Sequence, residues 1–327
     1  MQKTNFNPSQ AMPYTNFLQS PVWQKTNEKI GHIVLVEKLD GKNDTYMIIK
    51  NAKRGRYLEI PGGPVLDWQN DENMKKAIQK MLQIAKKHRC VFVRIRPQLL
   101  DTPENRNILK SLGAKLSPMH LAAEHTVILD LTKSEEDLLA AMRRQTRYEV
   151  RRAKKLGIIV ESGNDETLFH EFHETQKATA SRQHFVPPDL KTLLAEREAF
   201  SKNARIYVAK TADEHQPIAY GLVLINGEEA EYYEAASTDL NRKLPGAYAL
   251  QWQVIRDLKT LGVKRYNLWG IAPPNQPHHR YAGVTTFKTG FGGEIVAFVP
   301  AHDFVVSKIK YAPDYLIETL RKKRRHL

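Results

Sequence analysis

Two apolar runs, "HIVLVEKL" (32–39) and "TYMIIKN" (45–51), flank the polar stretch "DGKND", which signals a β-hairpin. A third run, "RYLEIPGGPVLD" (56–67), reads as a strand that ends in a Pro-Gly-Gly-Pro loop. The apolar period then becomes helical over about 71–88, and "CVFVRIRP" (90–97) returns to a strand. The same order recurs later in the chain. "RIYVAKT" (205–211) and "PIAYGLVLIN" (217–226) form a hairpin across "ADEHQ", and "AEYYEAAST" (230–238) leads into the loop "DLNRKLPG" (239–246). A helix follows at about 247–261, and then the strand "RYNLWGI" (265–271). Residue identity between the halves is weak, so the repeat is one of order rather than of sequence.

Between the repeats, residues 134–156 read as a single helix with Ser134 as N-cap and acids in the first turn. On a helical wheel Leu138, Leu139, Met142, Val150, Ala153 and Leu156 share one face. Arg143, Arg144, Arg147, Arg151, Lys154 and Lys155 gather opposite them. Like charges at this spacing repel and cost stability. The ridge is either a solvated face or a surface for an anionic ligand, RNA or a membrane.

Composition narrows the class. The chain has 327 residues, 41% hydrophobic and 26% charged, enough for two domains of about 150 residues. Its one cysteine, Cys90, allows no internal disulfide and suits a reducing compartment. The polar opening "MQKTNFNPSQAMPYTNFLQS" lacks a signal-peptide core, and no run approaches 18 apolar residues, so a cytoplasmic protein is expected. The net charge of +14 implies a polyanionic partner. A second basic run, "RKKRRHL" (321–327), reads as a frayed tail adding general attraction.

Most catalytic signatures are absent: there is no G-x-S-x-G elbow, no P-loop and no H-E-x-x-H pair. His170 and His173 lack a third metal ligand and read as surface residues, as does "PHH" (277–279), so no metal is expected. The stretch "GVTTFKTGFGGE" (283–294) carries Lys288 among aromatics and glycines. Lys288 is either a positive charge in a partly dry site, beside exposed N–H groups, or a surface lysine on a β-turn. Aminolysis of an already activated ester needs only positioning and oxyanion stabilisation, so it fits this sparse machinery. A strand, glycine loop and helix N-terminus also present backbone N–H groups to anions. The loop "RKLPGAY" (242–248) is a loose relative of the pyrophosphate loop of GNAT acyltransferases, or a simple connection.

Five segments in order carry a resemblance along nearly the whole chain: "FLQSPVWQ" (17–24), "YLEIPGGPVLD" (57–67), "LLAAMRRQTRYEVRRAKKLG" (138–157), "RYNLWGI" (265–271) and "TFKTGFGGE" (286–294). The set resembles the Fem family of peptidoglycan-bridge peptidyltransferases. The resemblance implies a mixed α/β (α+β) fold of two tandem GNAT-like domains without the coiled-coil arm of some members. The domains are expected at 1–133 plus 311–327 and at 134–310. It implies an acyltransferase that moves an amino acid from aminoacyl-tRNA to the stem-peptide amine of lipid II or of UDP-MurNAc-pentapeptide. Aminoacyl-tRNA is then a co-substrate, no cofactor is needed, and a monomer touching the anionic membrane at its periphery is expected.

By the same resemblance Lys288, paired with Phe287, stabilises the oxyanion. Trp23, Lys25, Gly62, Gly63, Tyr232 and Gly292 are the substrate-binding candidates, and the basic ridge meets tRNA or an anionic surface. Tyr232 reads equally as a core aromatic, and Gly62 and Gly63 as a turn. Two positions depart from the family pattern: Asn27 stands where a basic residue is common, and Arg96 where an acid precedes the proline. Two rivals stay open. One is an acetyl-CoA-dependent N-acyltransferase using the 242–248 loop. The other is a non-catalytic basic protein that binds RNA or membranes.

Overall fold

A computed structural model describes residues 16–183, 185–274, 276 and 279–324. The N-terminal residues 1–15, positions 277 and 278 of the Pro-His-His stretch and the last three residues of the basic tail lie outside the described residues.

The first unit contains α1 (Pro21–Lys29), β1 (Ile33–Lys38), β2 (Asp44–Ala52), β3 (Gly55–Gly62), α2 (Asp71–Lys87), β4 (Cys90–Pro97), α3 (Pro103–Ser111) and the short β5 (Lys115–Leu116). Helix α2 shows why the local sequence folds as it does. The Asn70 side chain accepts from Asn73 N, acids occupy the first turn and lysines the last, favouring both ends of the helix dipole. Met74, Ala77, Ile78, Met81 and Ala85 recur at helical spacing and are buried against the sheet.

The chain then builds a second unit from β6 (His125–Asp130), α4 (Glu135–Ala141), α5 (Arg144–Lys155), β7 (Ile159–Gly163), α6 (Glu166–Gln183), α7 (Leu190–Phe200), β8 (Ala204–Lys210), β9 (Pro217–Asn226), β10 (Glu229–Ser237), α8 (Gly246–Thr260), β11 (Arg265–Gly270), α9 (Ala282–Thr289) and β12 (Glu294–Ala297). It returns to the first unit through β13 (His302–Val305) and α10 (Lys308–Arg324).

Each unit has its own sheet and core. The first sheet has the order β1-β2-β3-β4-β13-β5, and the second β12-β6-β11-β10-β9-β8-β7. In the first, β1, β2 and β3 pair antiparallel, and after α2 the strand β4 lies parallel to β3. In the second, β8, β9 and β10 pair antiparallel, and after α8 the strand β11 lies parallel to β10. The repeat of order in the sequence is thus a repeat of topology, because a strand parallel to its predecessor needs a helical crossover. Ile49, Leu58, Ile60, Met81, Val93 and Ile95 anchor one core. Tyr207, Val223, Leu250, Val254, Leu258 and Tyr266 anchor the other.

Three expectations are corrected. The units divide at 124/125 and 296/297 rather than at 133 and 310, because β6 is a strand of the second sheet and β13 one of the first. Residues 134–156 form two helices, not one: Met142 and Arg143 take extended ψ values of 149° and 146°. The Arg147 guanidinium donates to the Ala140 carbonyl at 2.8 Å and to that of Met142, satisfying the end of α4. Leu138, Met142, Val150 and Ala153 are buried as expected, but Leu156 is exposed. Finally, 282–289 is a helix rather than a loop or β-turn.

Candidate active site

Strands β10 and β11 pair over only three residues, Glu229–Glu231 against Arg265–Asn267. Beyond them both strands lose register: β10 bulges between Tyr232 and Glu234, and β11 between Asn267 and Gly270. Trp269, inside the second irregularity, has φ +61°, a backbone region costly for a bulky side chain. Its ring meets that of Tyr233 edge to face, with centroids 5.9 Å apart. The parallel ladder therefore opens into a wedge.

Helix α9 delivers Lys288 to that wedge. Its Nζ donates to Gly270 O at 2.9 Å and lies 5.9 Å from the centre of the Tyr232 ring. The residue is only 8% exposed. Burial pushes the ammonium down to about 7, against the opposing pull of the Glu234 carboxylate. Glu234 is pushed the other way by burial, up to about 7, opposed by Lys288 and by the Gln176 amide, whose Nε2 donates to Glu234 Oε2 at 2.8 Å. Tyr232 packs in the core and presents its ring face to the lysine, so it is at once a core aromatic and part of the site. Glu234 and Gln176 were not read from the sequence. They come from β10 and α6, 58 residues apart, with no local signature joining them.

What holds α9 in place accounts for the rest of the Phe-Lys-Thr-Gly-Phe-Gly-Gly segment. Phe287 forms a three-ring cluster with Tyr248 and Phe291, centroids 5.1 and 5.2 Å away, so its ring helps to aim the helix. Arg143 ties the α4–α5 joint to α9: its guanidinium donates to Thr286 O, and its backbone N–H to Gly290 O at 2.9 Å. Gly292 has φ +81°, and a Cβ there would lie 2.8 Å from Ala141 O. Its glycine serves this close approach of turn and helix.

The expected residues of the first unit are placed differently. Gly62 and Gly63 are buried beneath the Asn16–Gln19 segment, and a Cβ on Gly63 would lie 2.8 Å from Gln19 Cδ. Gln19 clamps this corner by donating to Pro61 O at 2.8 Å and Tyr46 O at 3.0 Å. These glycines are thus covered by chain, not open as a groove wall. Trp23 is half-buried and stacks edge-on against Phe17 at 5.2 Å, and Lys25 is exposed. Asn27 is buried and donates to Trp23 O at 2.9 Å, a helix-internal bond. Arg96 is 1% exposed, donates to Gln98 Oε1 at 2.8 Å and sits 5.4 Å from the centre of the Phe298 ring.

The basic ridge survives on α5. Arg144, Arg151, Lys154 and Lys155 are exposed, with Tyr148 (57% exposed) among them. Arg143 and Arg147 also hold the helix joint. The 242–248 loop spends its donors internally: Gly246 N bonds Leu244 O at 2.9 Å and Ala247 N bonds Asn241 Oδ1 at 3.0 Å. His170 is exposed on α6, 3.9 Å from Glu166. Among the described residues no three His, Cys, Asp or Glu side chains form a metal-holding group, and no helix is long and apolar enough to cross a membrane.

Comparison with known proteins agrees with this geometry. Aminoacyltransferase FemA of Staphylococcus aureus is 24% identical, with 92% of this chain and 93% of that protein covered. Among solved structures, that of FemX superposes with a TM-score of 0.79 at 18% identity, covering 93% of this chain and 94% of that one. A tandem GNAT protein from the clavulanic acid biosynthesis pathway superposes at 0.50 and 13% identity, covering 82% of this chain and 81% of its own, which makes the two-unit fold GNAT-like. A family model described as the FemAB family matches residues 2–212 and 187–319, and the chain therefore belongs to the FemAB family.

Proposed function

We propose that the wedge of the second unit transfers an aminoacyl group from tRNA to the stem-peptide amine of a peptidoglycan precursor, building the interpeptide bridge. The observation that carries this reading is the buried Lys288 ammonium, held on Gly270 O beside Tyr232 and Glu234. The amine nitrogen attacks the ester carbonyl carbon. The carbonyl oxygen becomes an oxyanion, and the Lys288 N–H groups not used on Gly270 donate to it in a site of low dielectric. As the tetrahedral centre collapses, the bond to the ribose oxygen breaks. That oxygen gains a proton and the new amide nitrogen loses one. No cofactor takes part, because the ester is already activated.

The exposed face of α5 is the part of this reading that meets RNA. Arg144, Arg151, Lys154 and Lys155 supply phosphate contacts, and Tyr148 supplies a stacking face. The acceptor is lipid II or the UDP-linked pentapeptide, and the protein works as a cytoplasmic monomer. The acetyl-CoA alternative is less well supported, since the Gly246 and Ala247 N–H groups at the loop it needs are already bonded.

Mass spectrometry of both precursors, incubated with the protein and charged tRNAs, tests the reading. The expected product is heavier by one amino-acid residue and vanishes with RNase. A product heavier by an acetyl group with acetyl-CoA, or no product from either donor, would refute it.

A further inference from the structure

On the face of the second sheet that packs against α6 and α7, three glutamates are brought close to one tyrosine. Glu231, on β10 at the root of the wedge, is 1% exposed, and neither carboxylate oxygen has a hydrogen-bond partner. Glu196, on α7, is also 1% exposed, and its Oε2 has no partner. Glu234 stands at the mouth beside Lys288. The Tyr233 phenol lies within electrostatic range of all three carboxylates, and Glu196 within range of Glu234. Gln176 supplies a separate sign of a missing donor. It is fully buried, its Nε2 holds Glu234, and the Oε1 on the same amide has no partner.

Buried acceptors are almost always satisfied in folded proteins, and carboxylates placed near one another in low dielectric raise each other's cost. Among the described residues, the cation acting on the deep glutamate, Arg265, is already bonded to Glu229 at 3.0 Å. Four partnerless acceptor atoms in one buried cluster call for a ligand rich in N–H donors and positively charged. A metal ion fits poorly: the glutamates are ranged around Tyr233, and among the described residues no three of them meet at a single point. A primary ammonium fits, with three donors on one cationic nitrogen.

We infer that this pocket, formed by Glu231, Glu196, Glu234 and Gln176 around Tyr233, binds the ammonium group of the aminoacyl donor. The inference rests on the transfer reading above and deepens it. With the acyl carbonyl at Lys288, Glu234 is placed for the α-nitrogen, one carbon away from the reacting centre. Glu231 and Glu196 lie deeper, where the ammonium of a lysine-like side chain would reach. The shared chemistry is an alkylammonium, and the source is settled by the choice of donor.

The test uses the full chain and two readouts. In single-turnover transfer, alanyl-tRNA should react at least tenfold faster than N-acetylalanyl-tRNA, and Glu231→Gln should erase most of that difference. Lysyl-tRNA outpacing alanyl-tRNA tenfold would assign the deep pocket to a side-chain ammonium, and equal rates would assign the α-ammonium. Equal rates for the acetylated and free donors would overturn the inference while leaving the transfer reading standing. In parallel, alaninamide and N-acetylalaninamide are titrated against the wild-type protein by NMR. Ammonium-selective perturbation of Tyr233 and Trp269, with no transfer from any charged tRNA, would sink the transfer reading but keep the pocket. Perturbation by both amides alike, or by neither, counts against the pocket whether or not the variant folds.

Discussion

The two units run the same strand order through the same helical crossover, yet they treat it in opposite ways. In the first, β3 and β4 stay in register from Leu58–Val93 to Gly62–Pro97, and Gln19 closes the far corner. One of its buried ion networks is matched throughout. Arg94 binds both oxygens of Asp303 at 2.8 and 2.9 Å and adds Glu318 at 2.7 Å, while the Tyr311 hydroxyl donates to Asp303. In the second unit the equivalent ladder stops after three pairs, and the ions there are left short of partners. One crossover is zipped along its length, and the other opens into the wedge where we place the chemistry. The difference lies in two bulges and one inserted lysine, not in topology.

The largest effect should come from breaking the closed side. Arg94→Ala strands Asp303 without its counter-charge, and a loss of about 3–5 kcal/mol in urea unfolding is expected. A loss below 1 kcal/mol would mean the network is not what holds the first unit.

The matching change on the open side should have the reverse character. Lys288→Met should lower single-turnover transfer roughly 10²–10³-fold, yet raise stability by about 1 kcal/mol, or roughly 2–4 °C in Tm. The pH dependence gives the sign. Lys288 is held near 7, below its ordinary 10.5, so between those values the folded state binds fewer protons than the unfolded one. Wild-type stability therefore rises with pH across that window, and the variant's advantage should be greatest at or below pH 7 and shrink towards pH 10. Calorimetry over this range checks it.

Glu234→Gln sharpens the comparison by less. Glu234 supports the charged lysine, so its neutral replacement lowers the Lys288 pKa further. The fall in transfer as pH rises through about 7 should then begin at lower pH, with about three- to tenfold less activity at pH 7.5. An unmoved pH profile would separate Glu234 from the lysine.

The smallest effect concerns α5. Replacing Arg151 or Lys155 by Ala should weaken tRNA binding modestly and reduce the slope of log affinity against log salt by about one each. No change in slope would remove that helix from the RNA contact.

Much of this fold is legible in the sequence because its signals are local. The hairpin at 32–51, the capped helix of residues 71–87 and the crossover strands all follow from apolar period and turn residues. Two local readings fail for physical reasons. The apolar stripe runs unbroken through Met142, which belongs to both the α4 and α5 faces, so nothing in the pattern marks the break that Arg147 and Arg143 create by tertiary bonds. Helix α9 contains Gly283, Val284, Thr285 and Thr286, all poor helix formers, and it is held by the Phe287–Tyr248–Phe291 cluster and the Arg143 contacts. At the site, Lys288 and Tyr232 stand out through family resemblance. Glu231, Glu234, Glu196 and Gln176 do not, since only the fold joins strand β10 to helices α6 and α7.

The most direct test of the central claim is the rate of single-turnover aminoacyl transfer to a muropeptide precursor by wild type and by Lys288→Met, at equal occupancy by charged tRNA. The account predicts unchanged tRNA binding with transfer reduced at least a hundredfold. Transfer at the wild-type rate by the variant would contradict it, and would move the chemistry away from the opened wedge.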